Sequence, residues 1–121
     1  MSETYEYEFE NLDELRAAVE AGNGVLTLPA WQIRNAYGAE RLGAQVRTNI
    51  SRELRGRGLG HFPEDLPDRQ HQPVRVFQIA SPAGAIIEAA LTPGDAYDVK
   101  LRDAGSGAAE LLDKVRALVC P

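Results

Sequence analysis

Hydrophobic and polar positions divide the chain into short segments of differing period. Tyr5, Tyr7 and Phe9 alternate with Glu6, Glu8 and Glu10, the period-2 pattern of a half-buried strand. Asn11, with Glu14 three residues on, predicts a helix start of capping-box type. Leu12, Leu15 and Val19 then form its apolar face, and Gly22 stops it. Gly22-Asn23-Gly24 reads as a turn, and Val25–Leu28 is an apolar stretch too short to be a helix. Thr27 is placed to cap the next helix, with Pro29 in its first turn, where a missing N–H costs nothing. Ala30, Ile33 and Tyr37 share a face of that helix, Gly38 ends it, and Ala39–Leu42 connect Gly38 to Gly43. Trp31 points away from that face and suits a second packing contact.

A third helix is expected over Ala44–Arg55, with Val46, Ile50 and Leu54 as its buried stripe, before Gly56, Gly58 and Gly60. Leu59–Phe62 and Val74–Ile79 read as strands, and the three prolines of Pro63–Pro73 exclude regular structure between them. Ser81-Pro82 opens a helix with Ile86, Ile87, Ala90 and Leu91 on its apolar side, and Thr92-Pro93-Gly94 breaks it. A last helix is expected over Ala108–Val119, behind a flexible Gly105-Ser106-Gly107 joint. Its apolar stripe, Ala108, Leu111, Leu112, Val115, Leu118 and Val119, needs a cover. Either the chain's own core or the same helix of a second copy would serve, which makes a homodimer one expectation.

Composition narrows the class. With 121 residues, 44% of them hydrophobic and 26% charged, the chain fits one soluble domain. No apolar run nears the ~18 residues of a membrane span, and the acidic start is unlike a signal peptide, so a cytoplasmic protein is expected. The single cysteine, Cys120, excludes an internal disulfide and multi-cysteine metal sites, and no basic neighbour activates it. His61 and His71 lack ligand partners at metal spacing. Gly56, Gly58 and Gly60 follow a helix and miss the dinucleotide spacing. No nucleophile–base motif has supporting context, so neither an enzyme nor a cofactor is expected.

The net charge of −5 argues against a nucleic-acid partner until it is partitioned. Residues 31–61 hold six arginines and two glutamates, a balance of +4, which leaves −9 for the rest of the chain. On the third helix Gln45, Thr48, Arg52 and Arg55 fall opposite the buried stripe, flanked by Asn49 and Ser51, with Arg47 at the stripe's margin. Polar residues face outward on any surface helix. This face differs in carrying no acid, since Glu53 projects towards the other margin. Arginine matches guanine O6 and N7, glutamine and asparagine match adenine, and threonine or serine can bond phosphate.

From Asn11 to Ile79 the order is helix, short strand, helix, helix, strand, loop, strand, which resembles the winged helix-turn-helix. GNGVLTLP would be the first short strand, Pro29–Tyr37 and Ala44–Arg55 the second and third helices, and Leu59–Phe62 with Val74–Ile79 the wing. The pattern RLGAQVR…GLGHFP…LP…VRVF is also similar to that of small bacterial proteins with no known activity. The connector GAERLG is longer than the usual helix-turn-helix turn.

The resemblance implies an α+β winged helix-turn-helix, with an extra N-terminal strand and two C-terminal helices. Residues 1–80 would hold the strand and the winged helix. Residues 81–121 would form a helical extension that packs on it or mediates dimerisation. It further implies a small, non-enzymatic DNA-binding regulator with its third helix in the major groove. Arg47, Arg57 and the wing residues Arg69, His71 and Arg75 would then meet double-stranded DNA at its phosphates. The acids Glu64, Asp65 and Asp68 share that wing loop, so the alternative is an adaptor that binds a protein partner.

Overall fold

Asn11 starts the first described helix as its spacing predicts. Its side-chain oxygen accepts the Glu14 N–H at 2.9 Å, while the Glu14 carboxylate accepts the Glu10 N–H at 2.9 Å. The structure is a computed structural model that describes residues 9–119, with side chains to residue 117. The strand expected at Tyr5 and Tyr7, the acids Glu3, Glu6 and Glu8, and Cys120 lie outside the described residues.

The elements are α1 (Leu12–Ala21), β1 (Val25–Pro29), α2 (Ala30–Tyr37), α3 (Ala44–Gly56), β2 (Leu59–Phe62), β3 (Pro73–Gln78), α4 (Pro82–Leu91) and α5 (Asp95–Val119). Among the described residues the fold is thus α+β, with five helices and a three-stranded antiparallel sheet in the order β1-β3-β2. The chain divides into two compact units, residues 1–85 and residues 86–121.

In the first unit the core gathers on one side of the sheet. Leu12, Leu15 and Val19 of α1, Ile33 of α2, and Ile50 and Leu54 of α3 pack with Leu28, Leu59, Val74 and Val76 of the strands. Val46 packs half-buried against this cluster, so the stripe expected on α3 is the one observed. Two loop leucines, Leu42 and Leu66, are buried in the same cluster. The α1–β1 turn needs left-handed backbone, and Asn23 (φ 59°) and Gly24 (φ 92°) supply it. On the other sheet face the Phe77 ring lies over Gly60, its register partner. A Cβ at Gly60 would stand 2.6 Å from that ring.

Three expectations are corrected. Thr27 does not cap α2: the helix begins at Ala30 behind Pro29, which belongs to β1 and makes no side-chain cap bond. The N–H groups of Ala30 and Trp31, which have no partner within the helix, donate instead to the carbonyls of Gln72 (3.0 Å) and Gln70 (2.9 Å) in the β2–β3 loop. On α4, Ile86 and Ala90 are exposed while Gly84 and Ala89 are buried. That helix, PAGAIIEAAL, is apolar nearly all round, so spacing alone does not select its face.

The third correction concerns the C-terminus. Gly105-Ser106-Gly107 is no joint but the interior of the 25-residue α5. Each glycine there disfavours helix by ~1 kcal/mol relative to alanine, which an uninterrupted hydrogen-bond ladder over the flanking residues offsets. Within the single chain Leu111, Leu112 and Val115 of its apolar stripe are respectively 62%, 55% and 46% exposed.

Candidate nucleic-acid interface

Helix α3 holds the basic segment because its inner stripe is fixed in the core. Ile50 and Leu54 are fully buried, which turns Gln45, Thr48, Arg52 and Arg55 outward into solvent. Asn49 sits among them. Its Oδ1 accepts from Gln45 Nε2 at 3.0 Å and from Arg52 Nη1 at 3.3 Å, so one carbonyl oxygen gathers two donors along the face. Thr48 donates its hydroxyl to the Ala44 carbonyl at 3.1 Å, the usual back-bond of a helical threonine.

Ser51 is half-buried and faces the sheet margin. Its Oγ lies 2.8 Å from His61 Nε2, and His61 Nδ1 lies 2.7 Å from the Pro63 carbonyl. A carbonyl can only accept, so Nδ1 carries the proton, and neutral His61 accepts at Nε2 the hydrogen bond that the Ser51 hydroxyl donates. Burial pushes the His61 pKa below its ordinary value, and nearby Arg55 adds to that. The Pro63 carbonyl and Asp65 oppose it. The chain Ser51–His61–Pro63 ties α3 to β2 and to the start of the β2–β3 loop.

Two expected phosphate contacts are engaged within the fold. Arg47 donates from Nε to the Leu42 carbonyl at 3.0 Å and from Nη1 to the Leu66 carbonyl at 3.3 Å. It joins the α2–α3 connector to the β2–β3 loop. Arg57 donates from Nε to Asp13 at 2.8 Å and from Nη1 to Glu53 at 2.8 Å. Hydrogen bonds to Glu53 and then Asp13 raise its pKa, and the two carboxylates balance its charge. The Glu53–Arg57 pair is legible as an i,i+4 spacing, whereas nothing in the sequence signals Asp13, 44 residues away.

Arg69 and His71 are exposed in the β2–β3 loop. Arg75 is exposed on the sheet face, in register with Thr27 on one side and Phe62 on the other. Thr27, Phe62, Pro63, Pro73 and Arg75 line a shallow cleft of about 280 Å³ in which Phe62 is 48% exposed. Glu64 and Asp65 lie across from Arg47, Thr48 and Ser51 around a second cleft of about 240 Å³. One margin of α3 is therefore acidic, and the basic surface is narrower than the sequence suggested.

No family model, curated protein or solved structure matches this chain. The structure brings together Gln45, Thr48, Asn49, Arg52 and Arg55 on one face. It places Ser51 at that face's inner edge, Arg47 and Arg57 in internal contacts, and Arg69, His71 and Arg75 beyond β2. Among the described residues, no three His, Cys, Asp or Glu side chains group as a metal site requires, and no helix is long and apolar enough to cross a membrane. Sequence reasoning missed Gln70 and Gln72, whose backbone carbonyls, not their side chains, cap α2.

Proposed function

We propose that the chain is a non-enzymatic DNA-binding protein of winged helix-turn-helix type, a small cytoplasmic transcriptional regulator that lays α3 in the major groove. The element order from α1 to β3 and the strand order β1-β3-β2 support that fold reading. The observation that carries the functional reading is the outer face of α3. Arg52 and Arg55 stand there beside Gln45, Thr48 and Asn49, with no acid among them in a chain that has 18 acidic residues. Arginine forks suit guanine edges and phosphates, and the amides add hydrogen-bonding capacity toward the other bases. Glu64 and Asp65 repel phosphate at one margin, so the duplex approaches from the side of Arg52 and Arg55.

The second reading is a protein-binding adaptor. It is favoured by the exposed Phe62 beside Arg75 and two prolines, an apolar and cationic patch of a kind common at protein interfaces. Fluorescence anisotropy with a mixed-sequence duplex at low salt separates the two. DNA binding should weaken as salt rises, with a log–log slope of about −0.9 for each phosphate contact. Arg52→Ala combined with Arg55→Ala should weaken binding at least tenfold and flatten the slope. Absence of binding at about 50 μM protein and low salt, where even non-specific binders associate, would reject the DNA reading and leave the adaptor.

A further inference from the structure

Helix α5 repeats apolar residues at alternating spacings of four and three: Tyr97, Leu101, Ala104, Ala108, Leu111 and Val115. A 3.5-residue period is the mark of a seam made for another helix, because it keeps one line of side chains facing a partner along a left-handed supercoil. The seam is uncovered where it is most apolar, at Leu111 (62% exposed) and Val115 (46%), with Leu112 (55%) beside them. We infer that α5 pairs antiparallel with α5 of a second copy of this chain, with Ala108 opposite Leu111 and Ala104 opposite Val115. This rests on α5 alone and is independent of the DNA reading.

Side-chain size selects the antiparallel arrangement. In that register each small residue of one copy meets a large residue of the other, and Gly105 receives Leu112 at the flank. The four layers from Ala104 to Val115 then have similar volume. A parallel pair would set alanine on alanine at two layers and leucine on leucine or valine on valine at the next two. Such a seam is pinched in one half and splayed in the other.

Charge agrees with size. Across the antiparallel pair Lys114 falls between Asp103 and Glu110 of the second copy. Arg116 pairs with Asp113 of its own helix at 3.6 Å, an exposed contact that is free to rearrange. Burying a leucine or valine removes on the order of 100 Å² of apolar surface, so the seam and its flanks bury about 500 Å² per copy. That lies at the small end of specific interfaces and implies a dimer that dissociates in the micromolar range.

Sedimentation equilibrium on the full chain, from about 1 to about 500 μM, should show a monomer–dimer equilibrium in that range. Leu111→Asp with Val115→Asp should raise the dissociation constant at least tenfold. Orientation is read by cysteine cross-linking in a Cys120→Ser background. Ala104→Cys with Val115→Cys should oxidise to a covalent dimer, and neither single variant should. In the antiparallel register two copies of residue 115 lie about 16 Å apart along the axis, beyond the ~7 Å that a disulfide spans between Cα atoms. A chain that stays monomeric at about 500 μM, an assembly larger than two, or cross-linking of Val115→Cys alone would each overturn the inference.

Discussion

Replacing Arg47 with methionine keeps most of the side-chain length and removes two hydrogen bonds from a charged donor, to the carbonyls of Leu42 and Leu66. Both leucines sit in the core with their side chains buried, so their carbonyls have few alternative partners. A bond from a charged group contributes ~1.5–3 kcal/mol. Arg47 is only partly buried, so the lower value applies twice and the expected loss is about 3 kcal/mol. Unfolding entropy of ~2.1 cal/mol/K per residue gives about 0.18 kcal/mol/K for the unit of residues 1–85. The midpoint of thermal unfolding, followed by circular dichroism, should therefore fall by about 17 °C.

Arg47→Lys keeps the charge but reaches only one of the two carbonyls, and should recover about half of that loss. Arg52→Ala, on the exposed face, should move the midpoint by less than about 3 °C. A bracing role for Arg47 is excluded if Arg47→Met shifts the midpoint by under about 5 °C while weakening DNA binding as much as Arg52→Ala. Arg47 would then be a surface phosphate contact and not a brace between loops.

Gly60→Ala should cost about 1–3 kcal/mol in a denaturation series, because its Cβ would stand 2.6 Å from the buried Phe77 ring; adding Phe77→Leu should restore part of that loss. Asn11→Ala removes the α1 cap and should destabilise by about 1 kcal/mol, a loss Asn11→Ser should largely avoid. His61 has its folded pKa below its unfolded one. Its stabilising contribution is therefore fully present above the unfolded value, ~6.5, and is lost as the pH falls through the folded value. Between pH ~7.5 and ~5 the wild type should lose more stability than His61→Gln, and parallel pH profiles would contradict this.

How much of this was legible in the sequence depended on whether the cause was local. Asn11 and Glu14, the Val46/Ile50/Leu54 stripe and the strand at Leu59–Phe62 depend on neighbours within one turn or one strand, and the structure has them where the pattern put them. The cap of α2 was misassigned because its acceptors come from Gln70 and Gln72, some forty residues further along the chain. Helix α5 was cut short because Gly105-Ser106-Gly107 has poor helix propensity, a weak preference that continuous flanking turns override. On the candidate face the helical angle correctly separated Arg52 and Arg55 from the core. It could not reveal that Asp13 would claim Arg57 or that loop carbonyls would claim Arg47, since those partners are distant in sequence.

The β2–β3 loop has no regular structure, and loops of that kind ordinarily accept insertions and deletions with little harm. This one is spent from end to end on other parts of the molecule. Pro63 holds His61, Leu66 holds Arg47, and Gln70 and Gln72 close the open end of α2. Its length is therefore a fixed gauge between two helices and a strand. Adding or removing one residue between Leu66 and Gln72 would misalign every one of those acceptors after it. A segment that sequence statistics would nominate as the freest in the chain is among those least able to change length.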